Sequence, residues 1–263
     1  MPDSEGFDIY AWVKAQPTAA LFAAAQTEKD DDVRLPAMKY ELGKRNDALS
    51  MALIFVRSSY PDQRAFGLEI LCRFGVDRHK SDPPFFENCV DVSIQHLRDQ
   101  PQVVSTAATW ALRQLGGPKA CSALIQLRTH ADPEVRLAVA IGIGNQYPKS
   151  PEIIETWLGL MDDPDKEVRA WATFGVGTLS DESSPAILTA LLHRVDDPYE
   201  NAREEAIWGL ARRGNVVGLA ALVERFETDV WVNGDRDAAC EALKLNTATP
   251  EELLSGLKAL LAP

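Results

Sequence analysis

Histidine, cysteine and aspartate are the side chains from which this chain could build a catalytic or metal-binding set. The four histidines, His79, His96, His130 and His193, are far apart, and none pairs with a plausible nucleophile. His130 and His193 fall near expected helix C-termini, where an imidazole complements the helix dipole. The four cysteines, Cys72, Cys89, Cys121 and Cys240, form no Cys-x-x-Cys pair. That predicts reduced, buried thiols in a cytoplasmic protein rather than disulfides or a zinc site. The runs Asp30–Asp32 and Asp162–Asp163 resemble cation ligands in type. They stand at turns before helices, however, where a carboxylate caps free N–H groups. No HExxH, GxSxG, P-loop or GxGxxG context occurs. The stretch GIGNQYPKS from Gly142 closes a helix, so its glycines are expected in a C-cap and not around a phosphate. No catalytic residue, no metal and no cofactor are expected, and the chemistry that remains is recognition.

The elements that would position a recognition surface repeat along the chain. DDDVRLPAMKYELG begins at Asp30, YPDQRAFGLEILCRFG at Tyr60 and DQPQVVSTAATWALRQLG at Asp99. DPEVRLAVAIGIG begins at Asp132, MDDPDKEVRAWATFGVGTL at Met161, DDPYENAREEAIWGLA at Asp196 and WVNGDRDAACEAL at Trp231. One position aligns as Arg34, Arg64, Ser105, Arg136, Arg169, Arg203 and Arg236, separated by 30, 41, 31, 33, 34 and 33 residues. A period near 33 held in phase across the chain marks a repeat architecture. Each period also holds a second amphipathic helix, as in PEIIETWLGLM and SPAILTALLHRV. Nothing alternates with period two, so no strands are expected. The long step from Arg64 to Ser105 contains GVDRHKSDPPFFEN, read as an extended, proline-bearing loop.

The pattern Asp-Pro-x-Val-Arg-x-x-Ala-x-x-Ala-Leu-Gly resembles the HEAT repeat, in the short form found in phycocyanobilin lyases. The resemblance implies an all-α, right-handed α-solenoid of about seven helical hairpins in a single domain over 1–263. Cap helices are expected within 1–29, repeats over 30–243 and a C-terminal capping helix over 247–263. It also implies bonds between an arginine of one repeat and an aspartate of the next. Arg34, Arg136, Arg169 and Arg203, with Asp132, Asp163 and Asp197, are assigned to that ladder. Ser105 has no guanidinium, so an interruption is expected there.

Counting from the ladder position, offsets +3 and +6 carry small residues, among them Ala172, Gly175, Ala206 and Gly209. Glycine costs about 1 kcal/mol against alanine inside a helix, so close packing on that face is expected to offset it. Offset +5 reads Lys39, Glu69, Trp110, Ile141, Phe174, Trp208 and Glu241, with Trp171, Glu204 and Glu205 beside it. In HEAT-type solenoids this helix lines the concave surface, so the resemblance places the stripe in a groove. Two placements fit these residues: a partly exposed recognition strip, or rings tucked between adjacent helices.

The chain carries 39 acidic and 27 basic residues, a formal net charge of −12. Such a surface repels phosphate backbones and steers basic partners toward itself. No stretch approaches the roughly 18 apolar residues of a membrane helix, and the first residues lack a signal-peptide core. The reading is a cytoplasmic, monomeric, non-catalytic module that captures a basic protein or peptide as adaptor, assembly factor or immunity-type inhibitor. It binds neither nucleic acid nor membrane. One alternative, implied by the resemblance, is a bilin lyase-like enzyme or chaperone of phycobiliproteins. Propionates would then need Lys39, Arg113 and Arg212, the main cations on these faces. Another is a HEAT-like DNA glycosylase, which the acidic charge disfavours.

Overall fold

The computed structural model describes residues 9–27, 34–42, 44–78, 82–145, 149–228, 233–246 and 248–262, apart from the side chains at 9, 10, 26, 34, 35, 46, 77, 78 and 233. Every element among them is helical. The helices group into two units, residues 1–126 and 127–263.

The first unit holds α1 (Ile9–Ala15), α2 (Thr18–Thr27), α3 (Arg34–Leu42), α4 (Asn46–Phe55), α5 (Pro61–Arg78), α6 (Pro83–Gln95), α7 (Gln102–Leu115) and α8 (Gly117–Ile125). Its ladder helices α3, α5 and α7 pack in series, with α4 and α6 against them. Phe22 sits edge-on to Phe55 at 5.2 Å and to Phe66 at 5.5 Å, closing the core at that end. The stretch expected as an extended loop is mostly helix. α5 runs to Arg78, and Pro83 and Pro84 open α6 under an Asp82 cap. Proline at a first turn gives up only an N–H that would go unbonded, so the two prolines start a helix there.

The second unit holds α9 (Pro133–Gly142), α10 (Pro151–Leu160), α11 (Lys166–Gly177), α12 (Pro185–Arg194), α13 (Glu200–Arg212), α14 (Val216–Thr228), α15 (Asn233–Ala242) and α16 (Pro250–Leu261). The ladder helices α9, α11, α13 and α15 pack in series, and α10, α12 and α14 cover them. Capping departs from expectation at the two Asp-Asp-Pro turns: Asp165 rather than Asp162 or Asp163 caps α11, and α13 opens at Tyr199 with no side-chain cap. Asp132, Ser150, Asp165, Ser184 and Thr249 each accept a backbone N–H at the start of a helix. α9 does not end in a glycine cap. It tightens into a 3-10 turn over Ile143–Asn145, and neither Gly142 nor Gly144 has positive φ.

Small residues make room for specific neighbours. A Cβ on Gly175 would overlap the indole of Trp157, which is fully buried on α10 and donates its N–H to the Ala140 carbonyl at 2.8 Å. A Cβ on Gly177 would lie 2.9 Å from the Glu205 carbonyl oxygen and 3.3 Å from the Gly209 Cα, so α11 and α13 touch backbone to backbone.

The ladder fixes the register. The Arg136 Nε and Nη2 atoms donate to both Asp163 oxygens at 2.6 and 2.7 Å. Arg169 holds Asp197 in the same way at 2.9 and 3.0 Å, and Arg64 holds Asp99 at 2.9 Å twice. The Arg64–Asp99 rung was not among the assigned pairs. The remaining Nη1 of each arginine donates to two carbonyls of its own turn, His130 and Ala131 for Arg136, Asp163 and Pro164 for Arg169. Arg203 repeats this turn contact with Asp197 and Pro198. Asp132 caps α9, and the Arg34 side chain lies outside the described residues. Ser105 bonds back to the Gln102 carbonyl at 3.0 Å.

Burial alone would raise the Asp197 carboxyl. Hydrogen bonds from Arg169, the Tyr199 N–H and Arg194 outweigh it and hold the group down at about 2. A depressed carboxyl contributes stability that is complete above its unfolded value near 3.9 and lost as pH falls through about 2. Replacing Asp197 by Asn is therefore expected to cost about 2 kcal/mol at pH 7. Urea midpoints of the two proteins should converge between pH 4 and 2, and a constant gap would rule out the ion pair as its source. Gly175→Ala is expected to cost about 1–3 kcal/mol of stability, read as a lower urea midpoint, because overpacking against Trp157 exceeds the gain of about 1 kcal/mol in helix propensity.

Candidate protein-binding groove

Five offsets on each ladder helix, −2, +1, +2, +5 and +9, share one face, since they step as i, i+3, i+4, i+7 and i+11. In the second unit that face is hollow. A cavity of about 340 Å³ lies between α11 and α13, walled by Trp171, Phe174 and Trp208 and edged by Glu167, Glu204 and Glu205. A neighbouring cavity of about 300 Å³ shares Phe174 and Trp208 and reaches Arg212, Asp237 and Glu241 on α13 and α15. A broader depression of about 760 Å³ continues past Asp237 and Glu241 to Lys244.

The structure brings together six of the residues singled out by sequence: Trp171, Phe174, Trp208, Glu204, Glu205 and Glu241. Trp171 is 38% exposed and meets Phe174 edge-on at 5.6 Å. Phe174 and Trp208 are half-buried, so the rings are neither free nor sealed. Ile141 is half-buried on α9 and lines neither cavity. Trp110 and Glu69 belong to the first unit. The Arg113 guanidinium lies 4.4 Å over the Trp110 ring, and Glu69 pairs with Lys39. The groove is thus centred between offsets +2 and +5, not on +5 as expected, and Glu167, Asn201, Thr178 and Asp237 join it. The signal for them was present, because −2, +1 and +9 are helical neighbours of +5.

A polar network behind the groove sets the walls. The Trp208 indole donates to the Asp235 carboxylate at 2.7 Å, and its ring leaves no room for a Cβ on Gly234. Asp235 is fully buried at offset −1, where other repeats place Val104, Val135, Val168 and Ala202. The Arg225 guanidinium on α14 compensates it at 3.2 Å and touches Glu204 at 3.4 Å. Arg213 reinforces the end of α11, donating to the carbonyls of Val176, Gly177, Ser180, Glu182 and Gly209. Arg212 bonds the Thr178 carbonyl at 2.8 Å and pairs with Glu241.

Glu205 is the exception. Burial pushes its carboxyl up to about 7, opposed by the Thr178 hydroxyl at 3.3 Å and by Arg212, and assisted by Glu204. Elsewhere reactivity is suppressed: burial pushes the Cys72 thiol up to about 12, and Cys89 and Cys121 are buried. Cys240 is only half-buried, against expectation. Among the described residues no group of three or more His, Cys, Asp or Glu side chains is placed to hold a metal, and no helix is long and apolar enough to cross a membrane.

Paired helices in series, joined by arginine–aspartate rungs, define an α-solenoid of the helical-repeat class. The model described as HEAT repeats matches residues 122–202 and 154–244, and the PBS lyase HEAT-like repeat matches 106–129. The chain belongs to the HEAT-repeat family. YibA of Escherichia coli is similar in structure, with a TM-score of 0.75 and 20% identity over 99% of this chain and 98% of that one. The S. pombe condensin Cnd3–Cnd2 subcomplex is similar with a TM-score of 0.60 and 16% identity, covering 96% of this chain and 41% of that one. An engineered protein reaches a TM-score of 0.55 at 16% identity, covering 95% and 76%. At these identities the likeness is one of fold. No curated protein matches the sequence.

Replacing Trp208 by Ala removes both a groove wall and a bond to buried Asp235. It is expected to cost about 3 kcal/mol or more, read as a lower denaturation midpoint. An unchanged midpoint would mean the ring supports nothing beneath it.

Proposed function

We propose that the chain is a non-catalytic binding module whose second-unit groove captures an arginine- or lysine-rich segment of a protein partner. The observation that carries this reading is the coincidence of aromatic walls with carboxylate edges in one hollow. Flat rings attract cations through their faces, and carboxylates complete the charge. Charged residues are usually depleted at the centre of an interface, whereas Trp is enriched among the contacts that dominate binding. The net charge of −12 acts in the same sense, raising the encounter rate with a basic partner. The cations that a bilin's propionates would need are engaged within the protein: Lys39 with Glu69, Arg113 on Trp110 and Arg212 with Glu241.

The test uses Trp171, the most exposed of the groove's rings. Trp171→Ala is expected to change stability by no more than about 1 kcal/mol. Binding of a capped hexa-arginine peptide, followed by calorimetry, should weaken at least tenfold, and wild-type affinity should fall as salt is raised. Equal affinity of variant and wild type would exclude the groove as the binding face.

A further inference from the structure

Resting on that reading, we infer that the cavity between α11 and α13 is an anchor site for one guanidinium side chain of the partner, with Glu205 as the carboxylate that receives it. Trp171, Phe174 and Trp208 form walls suited to a planar, weakly hydrated cation rather than a compact ammonium. The opening of about 340 Å³ admits a side chain with its flanking backbone and is too small for a folded domain.

The other carboxylates around the cavity are already committed. Glu204 touches Arg225, and Glu167 accepts the Tyr199 hydroxyl at 2.8 Å. Glu205 has a threonine hydroxyl at 3.3 Å and no guanidinium or ammonium within ion-pair distance among the described residues. On its own helix the nearest charges are Glu204 and Arg212, the latter drawn to Glu241 of α15. Arg213 is spent on the carbonyls that end α11. From α14, Arg225 turns to Glu204 and Asp235 of α15, while Asp237 adds a further negative charge across the neighbouring cavity. On α12, His193 and Arg194 face Asp162, and Arg194 also bonds Asp197. On α11, Lys166 covers the Tyr199 ring and Arg169 holds Asp197.

A carboxyl raised by burial costs stability as pH rises from its ordinary value of 4.5 to about 7, and the whole cost is present above that, so Glu205 weakens the free protein at neutral and alkaline pH. A group that weakens the free protein and faces a cavity is explained by what it meets when the cavity is filled. An entering guanidinium restores the missing counter-charge and draws the proton off Glu205.

The experiment compares wild type, Glu205→Gln and the charge control Glu224→Gln, an exposed residue of α14, with capped hexa-arginine and its uncharged isostere hexa-citrulline at fixed salt. Wild type should prefer arginine at least tenfold and lose about tenfold in affinity from pH 8 to pH 6, as a group near 7 takes up its proton. Glu205→Gln should bind weakly at both pH values and melt above wild type at pH 8, and Glu224→Gln should bind as wild type does. If hexa-arginine binds wild type and Glu205→Gln alike, the anchor assignment falls and the groove reading stands. If hexa-arginine does not bind wild type even at low salt, both fall.

Discussion

The structure depends on a guanidinium shared between two repeats. Arg64, Arg136 and Arg169 each place two nitrogens on a carboxylate of the following repeat and a third on the carbonyls of their own turn, whereas Arg203 makes the turn contact alone among the described residues. The Asp197 side chain is entirely shielded from water. Losing either partner would strand a charge where solvent cannot reach it, and such losses are far more costly than breaking a surface pair. The rung therefore acts less as a source of net stability than as a device that permits one register. A slip of one residue would leave Asp197 without its guanidinium.

Register, in turn, makes the groove. Because successive ladder helices are held at equivalent positions, the offsets that line the hollow on α11 line it again on α13 and α15. The backbone contact between Gly177 and Gly209 brings two of these helices close, so side chains that flank it on the open side stand over a narrow floor. Behind that floor Asp235 occupies a core position and ties Trp208 to Arg225. The walls are thus set by buried electrostatics, which holds the hollow in one shape.

The repeat and the Arg136 and Arg169 rungs were legible in the sequence because they rest on residue type at a fixed period, but of the Asp-Pro turns in the second unit only Asp132 caps its helix, while Asp163 and Asp197 hold arginines instead. Pro83 and Pro84 misled, since proline reads equally as loop or as helix start, and only the packed surroundings of α5 and α6 decide. The neighbour that explains Gly175 was invisible. Trp157 lies on another helix, and no local pattern reports which side chain fills a gap. The stripe at offset +5 was expected along all the ladder helices, whereas the hollow described here involves only α11, α13 and α15 and takes in offsets −2, +1, +2 and +9 as well, because an idealised helical wheel does not know how far each neighbour covers a flank. Asp235 was readable as a charge at an offset where five of the six other repeats carry valine or alanine and one carries Gln63. The division of the chain falls between α8 and α9, in the interval that begins with Ser105 in place of arginine.

The rungs join residues only 27, 28 or 35 apart in the chain. Nothing that fixes the register has to wait for a distant segment, and chains rich in such short-range contacts form quickly. A nascent polypeptide emerging from the ribosome can thus lock a hairpin that carries a rung onto its predecessor almost as soon as the next turn appears. The growing array never needs to search among remote pairings before it becomes ordered.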